Sequence, residues 1–357
     1  MRDYLYNLAT DKYNSFIANL IKALLLAVSF IYGLVVRIII LIYRLKPYRL
    51  NCKVVSIGNI TLGGTGKTSL VEYIVRYLQQ QGHKVAIVTR GYKKLRTKYQ
   101  VPSTGYTTMG DEPYMLQQNL KNIPIIVDAN RIRGAKLAMR KHGIDTVILD
   151  DGFQQWKLRK DLDIVTIDAT DPFGNCRLIP RGILREPLSS FRRADIFVLT
   201  KTNLNPDITD IKSFLNSINP RAPVIESIHQ PTGFYRTGKA NELLELDILK
   251  AKTVSLVSAI GDPDSFENLI RSLGIDIGLV FVFTDHHPYS RKDLKDIIKE
   301  SQKKNIDTIV TTEKDAVRLS QLSTVNCQLT AFVLRIEIKI TKNEQEFHNR
   351  LLKLYSL

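Results

Sequence analysis

The stretch Thr61-Leu62-Gly63-Gly64-Thr65-Gly66-Lys67-Thr68 decides the fold. An apolar run, Val54-Val55-Ser56-Ile57, precedes it, and an amphipathic run that begins at Lys67 follows it. Strand, glycine-rich loop and helix, in that order, are what a phosphate-binding loop requires. The glycines let successive backbone N–H groups turn inward around phosphate oxygens. The helix N-terminus adds partial positive charge at the same place. Lys67 is placed to reach β- and γ-phosphates, and the Thr68 hydroxyl to ligand Mg²⁺. All eight residues are therefore candidates for holding a nucleoside triphosphate. The strict spacing, G-x-x-x-x-G-K-[ST], is missed at one point: Thr61 stands where the first glycine belongs, with Gly58 and Gly63 off register. The competing reading is an ordinary glycine-rich strand-to-helix turn.

Working outward, short apolar runs alternate with helical patterns. Strands are expected at Val54–Ile57, Val85–Thr89, Pro124–Val127, Thr146–Asp150, Ile164–Ile167 and Ile196–Thr200. The clearest helix is Thr68–Gln80, with Leu70, Val71, Ile74, Val75 and Leu78 on one face and Gly82 as a stop. Continuous rather than alternating apolarity in the strands argues for a parallel sheet buried on both faces. Residues 220–250 break the rhythm with Pro220, Pro223, Pro231, Gly233 and Gly238, which reads as a hairpin or linker. A second series follows: strands at Val254–Ile260, Leu279–Phe283, Thr308–Thr311 and Ala331–Ile338, with helices after Gly261-Asp262-Pro263 and from Ser290. The expected fold is α/β: a P-loop NTPase-like parallel sheet domain and a second, smaller α/β domain. The expected boundaries are an anchor region over 1–48, a P-loop kinase-like domain over 49–225, a linker over 226–250 and a C-terminal domain over 251–357.

The chain has 357 residues and is 44% hydrophobic, enough for two cores. Its formal net charge of +16 favours an anionic partner: nucleic acid, an acidic membrane surface or a phosphorylated substrate. The cations are scattered rather than clustered with aromatics, which argues against nucleic acid. The three cysteines, Cys52, Cys176 and Cys327, form no C-x-x-C pair, so neither a disulfide framework nor a zinc site is indicated. That suits a reducing compartment.

Near the N-terminus, Ala23 to Val36 carries no charge, and the apolar character resumes past Arg37 from Ile38 to Tyr43. A helix over such a stretch spans about 30 Å, the thickness of a bilayer core. Arg44, Lys46, Arg49 and Lys53 follow directly and place this end in the cytoplasm. A membrane anchor, spanning or partly inserted, is the expectation, with a buried core helix as the alternative. Arg37 favours partial insertion or a snorkelling side chain over a simple span. A cleaved signal peptide fits poorly, because the apolar run starts late.

Several polar groups fall where chemistry would be done. Thr146–Leu149 runs apolar into Asp150-Asp151-Gly152, and a strand-terminal Asp beside a phosphate loop holds Mg²⁺ directly or through water. Gly110-Asp111-Glu112-Pro113 offers a second acidic pair: a helix cap, or a base that accepts a hydroxyl proton. Asp285-His286-His287-Pro288 could tune such a base. Arg185, in Leu184-Arg185-Glu186-Pro187, and Arg131, in Asn130-Arg131-Ile132-Arg133, are candidate phosphate holders. Thr311-Thr312-Glu313-Lys314-Asp315 ends a strand where α/β sheets bind ligands.

Taken in order, these motifs resemble the tetraacyldisaccharide 4'-kinase family, the lipid A 4'-kinases of Gram-negative bacteria. The most specific are Gly58-Asn59 through Thr68, Arg90-Gly91-Tyr92, Gly110–Pro113, Asp150-Asp151-Gly152-Phe153-Gln154, Leu184–Pro187, Asp285–Pro288 and Thr312–Asp315. The resemblance implies γ-phosphoryl transfer from ATP to the 4'-hydroxyl of an acylated glucosamine disaccharide 1-phosphate. It implies a monomer at the cytoplasmic face of the inner membrane. Asp111 would be the base, with His286 or His287 beside it. Lys67 and the loop amides would hold phosphates. Thr68, Asp150 or Asp151, and Glu186 would arrange Mg²⁺, and Arg131 and Arg185 would neutralise phosphate charge. The family commonly has His after Asp-Asp-Gly-Phe-Gln; here it is Gln155. The rival reading is a membrane-tethered ATPase or GTPase switch. Thr200-Lys201-Thr202-Asn203 departs from the guanine-reading N-K-x-D at its first and last positions, which weakens it.

Overall fold

The structure is a computed structural model that describes residues 8–13, 15–91, 109–205, 207–285, 287–319 and 329–356. Its described elements begin with α1 (Phe16–Leu45), β1 (Lys53–Gly58), α2 (Lys67–Gln80), β2 (Val85–Thr89), α3 (Asp111–Asn119), β3 (Ile125–Val127), α4 (Arg131–His142) and β4 (Thr146–Asp150). They continue with β5 (Leu162–Asp168), β6 (Ile196–Thr200), α5 (Thr209–Ile218) and β7 (Val224–Arg236). The remainder are β8 (Thr253–Ser258), α6 (Pro263–Ser272), β9 (Asp276–Val282), α7 (Arg291–Lys303), β10 (Thr308–Thr312), α8 (Glu313–Leu319), β11 (Thr330–Lys342) and α9 (Glu344–Leu352).

The chain divides into two compact units. The first takes Met1–Arg90, Asp128–His229 and Ile338–Leu357; the second takes Gly91–Val127 and Gln230–Glu337. The sequence reading placed 91–127 with the P-loop; the structure groups it with the second unit. The cause is polar. In that unit Arg318 donates to Asp111, Lys314 pairs with Glu112 at 2.6 Å, and Arg335 donates to Asn119 at 2.7 Å, so α3 is tied to α8 and β11. The linker expected over 226–250 is strand as far as Arg236, then turns and a short 3-10 helix over Leu246–Leu249. β7 runs straight through Pro231, and only the antiparallel bridge Phe234–Leu244 retains the hairpin character.

In the first unit the strand order is β2-β4-β1-β5-β6-β7, and these neighbours are parallel. The order places β1, which feeds the glycine loop, between β4 and β5. α2 buries the five apolar residues its period marked, Leu70, Val71, Ile74, Val75 and Leu78. On another side Phe153, Phe191 and Phe197 are fully buried, the last two edge to face at 5.4 Å. Residues of α9 and beyond close the unit: Tyr73 donates to Glu344 at 2.8 Å, and Tyr355 stacks on His83 at 3.5 Å.

α1 is the one described helix long and apolar enough to cross a bilayer, with a mean hydropathy of 2.7. Its Ala18, Lys22, Ser29, Gly33 and Val36 are buried, while Phe16, Leu20, Leu24, Phe30, Leu34 and Leu41 are exposed. The buried stripe is fixed to the 174–185 segment. The Ser29 hydroxyl donates to the Leu178 carbonyl at 2.9 Å and accepts from the Arg181 amide at 3.0 Å, and Tyr32 donates to the Arg185 carbonyl at 2.7 Å. A side chain at Gly33 would put its Cβ 2.7 Å from Leu178 Cδ1, so glycine sets the close approach. Asp11 anchors the start, pairing with Lys22 and Arg181 at 2.8 Å each. Partial burial would raise its pKa, but hydrogen bonds from Lys22, Asn175 and Arg181 outweigh that and hold the carboxyl well below the usual range.

The second unit carries the order β7-β11-β10-β8-β9, with β8–β9, β8–β10 and β10–β11 parallel. α6 opens on Asp262, whose carboxylate accepts from the Ser265 amide, with Pro263 at its first turn. α7 opens on a reciprocal box between Ser290 and Asp293. Phe234, Val254, Leu256, Phe266 and Ile270 form its core with Val310 and Leu334.

Beneath the Asp150-Asp151 turn lies a buried ion pair in the first unit. The Lys160 ammonium sits 2.5 Å from Asp163 Oδ2 and donates to the Gly152 and Phe153 carbonyls at 3.3 and 3.0 Å. Burial pushes the lysine pKa down and the aspartate pKa up, and each charge offsets that for the other. Removing one partner leaves an uncompensated buried charge. Lys160→Met is expected to cost about 3–5 kcal/mol, measured as a lower denaturation midpoint in urea.

Candidate active site

The parallel register of β1 and β4 sets Asp150 opposite Ile57, one residue before Gly58, where the loop departs. The phosphate loop and the acidic pair therefore leave the same carboxyl edge of the sheet, where α/β folds bind ligands. Asn59, fully buried, organises the loop: its amide donates to the Thr61 carbonyl at 2.9 Å, and its oxygen accepts from Lys67 Nζ at 3.0 Å. Thr61 pairs antiparallel with Leu184, flanked by the bonds Leu62 N to Ile183 O at 2.8 Å and Arg185 N to Ile60 O at 2.6 Å. The backbone there is an extended ladder, which explains why no glycine is needed at position 61. Gly63 takes φ +113°, and a Cβ on Gly63 or Gly64 would meet nothing within 4 Å, so the loop crest faces open space. Thr65 is buried, its hydroxyl 2.7 Å from that of Thr166.

Gly66 is constrained on two counts. Its φ is +76°, and a Cβ there would lie 2.7 Å from His229 Nε2 and 3.2 Å from Thr200 Cγ2. His229 is half-buried on β7, and its buried Nε2 has no hydrogen-bond partner among the described residues. Burial, then the Lys201 charge, pull its pKa down to about 4, so a neutral ring backs the loop. Nothing in the sequence pattern marked His229, because the contact joins β7 to a loop far away in the chain.

The acidic pair is split in role. Asp150 is 3% exposed, and its Oδ2 accepts from the Thr89 hydroxyl at 3.0 Å. Asp151 is half-exposed, sits in the left-handed region at φ 53°, and holds Arg185 Nη1 at 3.0 and 2.9 Å through its two oxygens. Lys67 Nζ lies 3.8 Å from Asp151. Thr68, buried at the first turn of α2, completes a set of hydroxyl and carboxylate oxygens. Hard oxygen donors suit Mg²⁺. Among the described residues no group of three or more His, Cys, Asp and Glu could hold a metal.

Two other candidates are placed differently from expectation. Glu186 is fully buried, and its oxygens accept from Arg193 at 2.8 and 3.2 Å, Gln154 at 3.1 Å and Trp156 at 3.1 Å. Three of these bonds fall on Oε1 and one on Oε2, and through them Glu186 anchors the turn that carries Asp150-Asp151. Arg131 is 2% exposed and donates to the carbonyls of Asp128 at 2.8 Å and Asp150 at 3.2 Å. Burial lowers its pKa, against the opposing pull of Asp150 and Asp151. It stands behind the strand end as a fixed positive charge.

In the second unit Asp111 opens α3, and Arg318 Nε donates to its Oδ2 at 2.5 Å while also bonding Asp315 at 3.2 Å. Arg318 was not foreseen; it lies beyond the Thr312–Asp315 motif that pointed to its helix. His287 bonds Asp293 at 3.0 Å and stacks on Phe283 at 4.8 Å. His286 and Tyr92 lie outside the described residues.

The family model described as tetraacyldisaccharide-1-P 4'-kinase (LpxK) matches residues 21–356. The chain belongs to this family. It is 35% identical to a tetraacyldisaccharide 4'-kinase of Halothermothrix orenii, over 95% of this chain and 94% of that one. A counterpart from Bdellovibrio bacteriovorus is also 35% identical, over 84% of this chain and 90% of its own length. The crystal structure of an "apo" form of LpxK from Aquifex aeolicus in complex with ATP superposes with a TM-score of 0.76 at 28% identity. That match covers 94% of this chain and all of the other. The chain is accordingly a kinase of lipid A synthesis.

Gly66→Ala would need a left-handed backbone and a contact with His229 that an alanine cannot make without strain, a cost of about 1–2 kcal/mol for the backbone alone. The loop is expected to leave this conformation and nucleotide affinity to fall roughly tenfold or more, which isothermal titration would read.

Proposed function

We propose that this kinase transfers the γ-phosphate of ATP to the 4'-hydroxyl of a tetraacylated glucosamine disaccharide 1-phosphate. The observation that carries the reading is the glycine loop beside Asp150 in parallel register, in a chain of this family. Phosphoryl transfer needs positioning and charge stabilisation more than covalent help. The loop amides and Lys67 hold the β- and γ-phosphates, Lys67 exchanging Asn59 and Asp151 for phosphate oxygens. Thr68, with Asp150 or Asp151, would hold Mg²⁺, which supplies neutralisation of charge on the transferring group. Arg185 fixes the Asp151 carboxylate and brings a second cation to the loop. Arg131 adds its charge from behind.

Asp111 accepts the proton of the attacking hydroxyl, and Arg318 sets the carboxylate's orientation. His287 is already engaged by Asp293, so His286 is the histidine assigned to tune this base. Within the first unit, α1 seats the enzyme at the cytoplasmic face of the inner membrane. Its docked stripe of Lys22, Ser29 and Gly33 rests on protein, so insertion is partial, with the exposed apolar face meeting lipid.

The test is a phosphotransfer assay with γ-labelled ATP, Mg²⁺ and tetraacyl disaccharide 1-phosphate in detergent. Label is expected in the lipid with the wild type and none with Lys67→Ala. Release of free phosphate without labelled lipid would overturn the reading. Asp111→Asn is expected to lower kcat about 10²–10⁴-fold with ATP affinity unchanged, and full turnover in that variant would remove Asp111 from the mechanism.

A further inference from the structure

Where α1 ends, an open groove of about 510 Å³ is lined by Tyr43, Lys46, Tyr48, Arg49, Ile132 and Lys157, together with Pro47. Among the described residues no carboxylate lines it. The Lys157 ammonium lies 4.5 Å from the centroid of the Tyr43 ring, and that of Lys136 lies 4.6 Å from the Tyr48 ring. Lys46, Arg49, Lys136 and Lys157 make no salt bridge among the described residues, although many other cations of the first unit are paired. The groove is thus an uncompensated positive concavity with aromatic walls. It opens at the end of a helix whose exposed side carries Leu34, Ile38, Leu41, Ile42 and Leu45.

We infer that this groove binds the phosphate headgroup of an anionic membrane phospholipid, whose acyl chains run along the exposed face of α1. The inference deepens the reading of α1 as a partly inserted anchor and rests on it. Phosphate is the recognised chemistry. A free phosphate ion or the 1-phosphate of the acylated acceptor would share it; the apolar ramp leading into the groove argues against the free ion, and the acceptor is an outcome of the test below. The physics is additive: each basic side chain near an anionic leaflet adds its own attraction. The tyrosine faces hold the lysine stems in place, so less freedom is lost on binding. Tyrosine and basic residues together are the composition of a membrane interface.

The experiment uses the full chain and a variant, Lys46→Gln with Arg49→Gln and Lys157→Gln. These side chains are exposed and belong to no part of the phosphate loop or of the Asp111 site. Native mass spectrometry from detergent would count bound lipid after incubation with equal phosphatidylglycerol and phosphatidylcholine, and separately with inorganic phosphate. The wild type is expected to retain phosphatidylglycerol at least tenfold over phosphatidylcholine, and the variant to lose that preference with an unchanged melting temperature. Equal preference in both proteins would overturn the inference, as would inorganic phosphate binding that matches phosphatidylglycerol. A raised KM for the disaccharide 1-phosphate with unaltered phosphatidylglycerol binding would also overturn it and reassign the groove to the acceptor. Flotation on phosphatidylcholine vesicles separates the two readings: wild type that fails to float removes the anchor, whereas floating protein without lipid preference removes only the groove.

Discussion

The alignment of Ile57 with Asp150 across two parallel strands is the constraint on which the site depends. A parallel pair has one carboxyl end, so whatever leaves β1 and β4 leaves together. That single register joins a loop built for phosphate to a pair of carboxylates eighty-odd positions away in the chain, without any contact between the two sequences being specified locally. The neighbouring pieces support this edge. Asn59 holds Lys67, the Thr61–Leu184 ladder brings Arg185 to Asp151, and Glu186 and Lys160 fix the turn after the acids from within. Asn59, Lys160 and Glu186 are tolerated at this depth because each finds hydrogen-bond partners.

Much of this was legible from the residues, and the reason is period. Val54–Ile57, Val85–Thr89, Thr146–Asp150 and Ile196–Thr200 are continuous apolar runs of strand length bounded by turn residues, and the structure has strands over each. The helix after Lys67 was read from its apolar face, and that face is the one buried. Signals of this kind are local. What was not legible is what local pattern cannot encode. Pro231 read as a break, but β7 continues through it. The motif around Asp111 read as part of the P-loop domain, whereas ionic bonds from Arg318 and Lys314 tie it to the other unit. Arg185 and Glu186 are neighbours in the sequence, but alternate residues of an extended segment face opposite ways, which a motif does not record. Arg185 reaches Asp151 and Glu186 turns into the core.

The polar residues of α1 make sense only against the 174–185 segment. A lysine, a serine and a glycine in an apolar helix look like flaws in an anchor, but they define the stripe that docks on protein. Apolarity on the remaining faces is then free to serve contact with something other than this chain. The helix is therefore asymmetric: one side is matched to fixed polar partners, and the others carry exposed apolar side chains.

The two long strands β7 and β11 have a consequence for how the molecule comes into being. Each starts in one unit and finishes in the other, so neither unit is a contiguous piece of chain. The nucleotide-binding half depends on residues 338–357, where Glu344 and His348 meet Tyr73 and Tyr355 meets Thr146 and His83. On a translating ribosome the glycine loop therefore emerges long before the segment that closes its own unit. All of the second unit is synthesised before residues 338–357, the last piece of the first. Topology of this kind raises the sequence separation of native contacts and slows folding. It also means that the two halves cannot be exchanged between relatives as cassettes by a single crossover; a chimera would need junctions on both sides of 91–127 and in both β7 and β11.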